Sequence, residues 1–301
     1  MIAVMGASGN VGSKVTDLLL DQGEDVRVFG RSGERLEPFG GRGADVVVGQ
    51  AIELDDLRAL FEDAASALVV LPDDVTDPHY ASNRSAMSRA ITEALRERHV
   101  GHVVMASSIG ADRDRGLGPI NGLHELEELL FGLEDANVLA LRAAWHMENL
   151  LASLPMIQGQ GVNGGAIRGD HAYPMIATVD IAERAARHLL DRDFTGHTVE
   201  TILGPQDVTM NEATRVLGAA LGKPDLPYVE FPPGGGEGGP AGHRHVRGVR
   251  VAPGGEPDRH QRGPGAGRCR ASVGDDDPDR AGGVPEGRSP LVSMERPCAG
   301  G

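Results

Sequence analysis

Met1-Ile2-Ala3-Val4-Met5-Gly6-Ala7-Ser8-Gly9-Asn10-Val11-Gly12 decides how the rest of the chain is read. An uncharged apolar run ends at Met5, glycines follow at positions 6, 9 and 12, and an amphipathic stretch then opens with Val11, Val15, Leu18 and Leu19 on one stripe. A strand buried on both faces reads as a continuous apolar run, and a helix packed on one side reads as a stripe at 3.6-residue spacing. Between them, the first glycine permits a tight turn, the second lets an anion approach bare backbone, and the third lets helix and strand pack closely. The helix N-terminus adds unpaired N–H groups and a partial positive charge. Strand, Gly-x-x-Gly-x-x-Gly and helix, in that order, predict a site for the pyrophosphate of a dinucleotide, contacted by Gly6, Ser8, Gly9, Asn10, Val11 and Gly12. An ordinary turn in a glycine-rich chain is the plainer alternative.

Outward from this loop, short apolar runs recur near residues 25–29, 44–48, 67–71, 102–106 and 138–141. Helical stripes separate them: Leu54, Leu57, Leu60 and Phe61; Tyr80, Met87, Ile91 and Leu95; Leu123, Leu126, Leu129 and Leu130. Six strands alternating with helices imply an α/β fold of Rossmann type, a doubly wound parallel sheet with right-handed crossovers. After residue 141 the pattern loosens. It predicts a helix near 145–154, a glycine-rich loop over 158–169 and a helix over 180–190 with Asp180 as N-cap. A strand near 198–203, a helix near 211–221 and a strand near 228–231 complete it. The expected organisation is a nucleotide-binding domain over residues 1–150, a small substrate lobe over 151–231 and a tail over 232–301.

The tail stands apart in composition. Its 70 residues hold 18 of the 43 glycines, 10 of the 19 prolines and both cysteines, with a single leucine and no Phe, Tyr, Trp, Ile or Lys. Such a segment buries too little apolar surface to offset its ordering entropy, so disorder is expected there. His243, His245, Cys269 and Cys298 follow no metal-binding spacing, and no metal site is expected. The preceding 231 residues carry 19 basic and 35 acidic side chains. That excess of negative charge repels phosphate backbones and anionic lipid, which argues against nucleic-acid and membrane partners. Without a cysteine, this body has no thiol nucleophile and no disulfide. The absence of a readable signal or spanning segment points to a cytoplasmic protein. Monomer and homo-oligomer both remain open.

The second strand bears on the choice of dinucleotide. An NAD site usually ends it with an acid that holds the ribose 2′-hydroxyl. Here it ends Val28-Phe29-Gly30-Arg31-Ser32, with no acid and with a guanidinium able to fork onto a 2′-phosphate. NADPH is therefore the expected cofactor, with Arg31 on its 2′-phosphate and Ser32 as a further donor. A solvated loop arginine is the competing reading.

The combination resembles the NmrA-like atypical short-chain dehydrogenase/reductases. The loop itself carries the likeness, together with Val103-Val104-Met105-Ala106-Ser107-Ser108-Ile109-Gly110-Ala111, the His-x-x-x-Glu pattern at His124 and Glu128, and Arg142-Ala143-Ala144-Trp145-His146-Met147-Glu148-Asn149. The last two are similar to the NADPH-dependent quinone oxidoreductase branch, and the likeness spans about residues 1–231. It implies hydride transfer from NADPH to a quinone or similar conjugated carbonyl acceptor. His124 would donate to the acceptor oxygen that gains charge, and Glu128, one helical turn on, would fix the ring's tautomer. Ser107 and Ser108 would donate to ribose or substrate, Leu71 and Pro72 would pass beneath the ribose, Trp145, His146 and Asn149 would line the substrate mouth, and Tyr173 would overhang it. Each has a structural alternative: a solvated His–Glu pair, loop-capping serines, a core tryptophan and a packed tyrosine. The Tyr-x-x-x-Lys pair of classical short-chain reductases is missing, since the only lysines are Lys14 and Lys223, and Tyr80 is followed at that spacing by Arg84. Two other functions stay open: a non-catalytic sensor of NADP(H), and a reductase or isomerase tailoring an aromatic metabolite.

Relatives end in helices and a motif resembling Leu-Thr-Gly-Arg, whereas this chain reads Asp275-Asp276-Asp277-Pro278-Asp279-Arg280. One permitted codon choice for that stretch and the following Ala281-Gly282, read one base later, gives Thr-Thr-Thr-Leu-Thr-Gly-Arg. The expectation is a frameshift within the glycine run at 234–242, a genuine low-complexity tail being the alternative. Resequencing the gene tests it: a one-base correction should restore an apolar, helical C-terminus, and failure to find one refutes the shift.

Overall fold

β1 (Ile2–Met5) shows how the layers arise. Ile2 and Val4 point into one apolar cluster while Ala3 and Met5 point into another, as alternation along a strand requires. β1 is thus covered on both sides and lies inside the sheet, between β4 and β2. The computed structural model describes residues 1–116 and 118–232.

The chain runs from β1 through α1 (Asn10–Asp21), β2 (Val26–Gly30), α2 (Gly33–Gly40) and β3 (Asp45–Val48) toward one edge of the sheet. α3 (Leu54–Phe61) then returns it to β4 (Ser66–Val69), on the other side of β1. From there α4 (Tyr80–Glu97), β5 (His102–Ser108), α5 (Ile120–Phe131) and β6 (Asn137–Ala143) build outward. All pairings in this sheet are parallel. The direction of winding reverses between β1 and β4, which is where open α/β sheets bind ligands, beyond the carboxyl ends of the strands.

Two elements differ from the sequence pattern in a way that bears on the site. The expected helix near 145–154 is instead β7 (Trp145–His146), a 3-10 helix over Met147–Ser153, and α6 (Leu154–Gln160). The backbone of Trp145 and His146 is used in a parallel ladder with β9 (Ala172–Ile176), and Pro155 sits in the first turn of α6, where its missing N–H costs nothing. α7 (Thr178–Asp191) starts before Asp180, which lies in its first turn, with Ala177 at the N-cap. β10 (His197–Ile202) is the strand expected near 198–203, and it joins the main sheet beside β6 as a seventh strand. The expected glycine-rich loop contains β8 (Asn163–Gly165), paired with β12 (Tyr228–Glu230). β11 (Asp207–Thr209) pairs antiparallel with β9 and leads into α8 (Met210–Ala220), closed by a capping box between Thr209 and Glu212.

α1, α2 and α7 cover one face of the sheet, and α3, α4 and α5 the other. Among the described residues no helix is long and apolar enough to cross a membrane, and no cluster of side chains could hold a metal ion. The tail's histidines and cysteines, and the expected disorder and frameshift, lie outside the described residues.

α7 is tied to β10 by a charged pair of contacts. His188 bonds Asp193 through Nδ1 at 2.5 Å and Glu200 through Nε2 at 2.9 Å. The bond to Glu200, with Asp193 in support, raises the imidazole above its ordinary value despite burial. Burial opposes ionisation of Asp193, but His188 still holds it below the usual range, and the His188 bond lowers Glu200 likewise. The raised histidine adds stability below about pH 6.5, which is lost as pH rises through its folded value. The lowered carboxylates add stability above about pH 4, which is lost as pH falls through theirs. Denaturant unfolding should therefore show that His188→Gln costs more stability near about pH 5.5 than near about pH 8.5. An unchanged pH profile in the variant would contradict this account.

Candidate functional site

The glycine loop is shaped by backbone sterics. Gly6 has φ +73°, a conformation that glycine adopts without strain, and Gly9 N–H closes the turn onto Gly6 O at 2.9 Å. At Gly12 a Cβ would lie 2.2 Å from Gly6 O, so only hydrogen fits there. Gly9 is the N-cap of α1 and supplies no side-chain bond, and the first turn holds no acid. The first N–H to reach back along the helix is that of Ser13, on Gly9 O at 3.0 Å. The donors of Asn10, Val11 and Gly12 precede it and face the loop, which suits an anion. Ser8 is half-buried beside Gly30, whose Cβ would approach Ser8 Oγ to 3.4 Å.

Arg31 follows β2 directly and is exposed. Hydrogen bonds from Thr76, with a smaller contribution from the Arg31 charge, hold Asp74 below the carboxylate range, which places Arg31 across from the loop after β4. Ser32 caps α2, its Oγ accepting from Arg35 N–H at 3.4 Å. Arg35, outside the expected set of contacts, donates through Nη2 to Ser8 O at 2.6 Å. Its signal was spacing: four residues after Arg31, it returns to the same side of the chain at the start of a helix. Arg31, Ser32, Arg35 and Ser8 thus border one edge of the glycine loop. On its other side Val70 packs 3.1 Å from where a Gly6 Cβ would stand, so Leu71 (buried) and Pro72 (half-buried) run past the loop.

Pro72 O accepts from Arg84 Nη1 at 3.4 Å, and Arg84 also pairs with Asp73 at 2.6 Å. Tyr80 donates to Asp73 at 2.5 Å, with the Arg84 guanidinium 5.3 Å from its ring centre. Burial and the Asp73 bond push the Tyr80 phenol well above its ordinary value. That is the reverse of the activated tyrosine in a Tyr–Lys pair.

β5 and α5 carry the remaining candidates. Ser107 is buried and donates to Glu127, itself 1% exposed, and Arg142 on β6 forks onto the same carboxylate at 2.5 Å. Ser108 is half-buried and donates to Ile109 O at 3.1 Å. His124 bonds Ala111 O through Nδ1 at 2.8 Å. A carbonyl only accepts, so Nδ1 carries the hydrogen and Nε2 remains for a ligand. The tautomer expected to be fixed by Glu128 is therefore fixed by Ala111, and Glu128 is exposed on the outer side of α5. Glu127, outside the expected set of site residues, lies four residues after Leu123 on the apolar stripe and is legible as inward-facing on that ground.

The segment expected to line a substrate mouth begins where β6 ends. Ala144 N–H donates to Ile202 O at 3.0 Å, and the chain then enters β7, paired Trp145 to Met175 and His146 to Ile176. Trp145, His146 and Asn149 are all half-buried. Burial lowers the His146 imidazole, outweighing the opposite pull of Glu148, which favours its neutral form. Tyr173 on β9 meets His171 edge-on at 4.7 Å, and burial raises its phenol.

Residues 6–137 match a family model described as NAD(P)H-binding, and this part of the chain is an NAD(P)H-binding domain. Among curated proteins the chain is 25% identical over 228 residues to an NAD(P)H azoreductase of Xenophilus azovorans, covering 74% of this chain and 75% of that one. Among solved structures it is similar to the NADPH-dependent quinone oxidoreductase of Escherichia coli complexed with NADPH, with a TM-score of 0.65, 23% identity and coverage of 77% and 78%. It is also similar to NmrA, a negative transcriptional regulator in complex with NADP, with a TM-score of 0.61, 16% identity and coverage of 76% and 74%. The likeness to these two structures is one of fold.

Because the Gly6–Gly12 contact leaves no room for a methyl, Gly12→Ala should weaken NADPH binding by at least about tenfold, or 1.4 kcal/mol. Titration of NADPH fluorescence measures this, with a thermal melt to confirm that the variant is folded. Unchanged affinity in a folded variant would remove the loop from the cofactor site.

Proposed function

We propose that this protein is an NADPH-dependent oxidoreductase that reduces a quinone or similar conjugated carbonyl compound. The observation that carries the proposal is the arrangement of His124, whose Nδ1–H is occupied by Ala111 O while Nε2 has no hydrogen-bond partner among the described residues. The azoreductase relative, whose name also specifies an NAD(P)H-dependent reduction, supports the same class of chemistry.

In this proposal the α1 N-terminus and residues 6–12 hold the pyrophosphate. Arg31 grips the 2′-phosphate with Arg35 behind it, and Ser32 adds a donor. Leu71, Pro72 and Ser108 contact the ribose. Bound NADPH supplies the hydride. Trp145, Asn149 and Tyr173 orient a flat acceptor, and negative charge develops on its oxygen as the hydride arrives. Protonated His124 donates to that oxygen from Nε2; once deprotonated there, the ring is an acceptor at the same nitrogen and must be recharged from solvent. Ser107 acts at one remove, holding β5 and α5 in register through Glu127. Glu128 contributes negative charge near the helix.

A second reading, a sensor that binds NADP(H) without turnover, draws on the likeness to NmrA and on the missing Tyr–Lys pair. NADPH mixed with the protein and a panel of quinones separates the two. Oxidation of NADPH supports the reductase, and tight binding with no oxidation by any acceptor supports the sensor. Arg31→Asp should weaken NADPH by more than about tenfold while leaving NADH nearly unchanged. Equal losses for both would refute the 2′-phosphate role. His124→Ala should lower kcat by about a hundredfold or more at unchanged NADPH affinity.

A further inference from the structure

The ladder that holds Trp145 in place is very short. β7 and β9 share only the pairs Trp145 to Met175 and His146 to Ile176, both thirty residues apart in sequence. A parallel ladder of that length has little stability of its own. Two residues on, the same offset is continued by a side chain. Glu148 accepts from Thr178 N–H at 3.0 Å through both carboxylate oxygens and from Thr178 Oγ1–H at 2.5 Å.

The partner is well chosen. Thr178 is fully buried and opens α7, where the first N–H groups have no partner within the helix. Ala177 at the N-cap supplies no side-chain bond, so Glu148 caps the helix from another part of the chain. Burial opposes ionisation of Glu148, but the Thr178 bonds and the Lys14 charge outweigh it and hold the carboxyl below its ordinary value. Lys14 belongs to the first turns of α1, so the carboxylate stands between the cofactor helix and the mouth. Trp145 lies three residues before it and Asn149 one after.

We propose that Glu148 is a positioning residue: it extends the β7–β9 ladder by one side-chain rung and so fixes the acceptor-binding segment against the start of α7. The functional part of this proposal rests on the reductase reading above. A plain structural cap would affect stability alone, whereas a positioning residue acts on the acceptor and spares the cofactor.

The test uses Glu148→Ala and Glu148→Gln in the full chain, with menadione as acceptor. Glu148→Ala should raise the menadione KM about tenfold, change kcat much less, and leave the NADPH Kd within about twofold. Glu148→Gln keeps one acceptor oxygen for Thr178 N–H and should recover a large part of the loss. Trp145 is the only tryptophan in the chain. Its emission should move to longer wavelength in Glu148→Ala and stay near the original in Glu148→Gln. A lowered melting temperature with unchanged menadione KM would overturn the proposal, as would a parallel rise in NADPH Kd and menadione KM. If the unaltered protein reduces no acceptor, the reductase reading fails by itself. Trp145 emission and its quenching by menadione then still decide the clamp, and identical behaviour of Glu148→Ala and the unaltered protein would overturn it.

Discussion

Gly6 O and the backbone at Gly12 approach so closely that a single methyl at position 12 would lie 2.2 Å from the oxygen. Much of the structure is referred to that contact. It sets where α1 begins relative to the end of β1, and so where the three unpaired N–H groups point. α1 in turn buries Val11, Val15 and Leu19 in the cluster that holds Ile181, Ala185 and Leu189 of α7. α7 starts at Thr178, immediately after β9, and β9 carries β7. The position of Trp145 is thus linked through packed elements to a turn more than a hundred residues earlier.

What was legible in the sequence follows from how each element is buried. Strands covered on both faces appear as continuous apolar runs, and β1, β2, β4, β5 and β6 could be read for that reason. β3, at the sheet edge and partly exposed, was legible from its run of valines alone. The glycine loop was legible because backbone conformation at Gly6 and sterics at Gly12 restrict those positions to glycine. β7 was not, since two residues have no period and their pairing partners lie thirty positions away. The start of α7 was missed for a related reason: Asp180 has the chemistry of an N-cap, but the cap comes from Glu148 in a different element. Arg35 and Glu127 are intermediate. Spacing along their helices marked both, but the contacts with Ser8 O and Arg142 that give them meaning are long-range.

The charges in the middle of the molecule are arranged at some cost. Glu127 is almost completely buried, and an ion that deep is tolerated only because Arg142 and Ser107 satisfy it. Arg84 is a second buried charge, paired with the exposed Asp73 and lying against the Tyr80 ring, with its Nε left without a partner among the described residues. Neither group resembles an acid–base pair tuned for proton transfer. Both raise the cost of moving the loops that end β4 and β5, so the backbone around the glycine turn is stiff where a dinucleotide needs a fixed surface.

The place of β10 at the edge of the main sheet has a consequence for how the protein comes into being on the ribosome. β6 leaves one side of its backbone open until residues 197–202 have been made, and Ala144 N–H waits for Ile202 O. The nucleotide-binding half, although encoded first, is therefore not finished first. During synthesis an unpaired, apolar strand edge is exposed for the time needed to add more than fifty residues, the kind of surface that chaperones recognise and that other nascent chains can pair with. Only when β10 docks does the edge close.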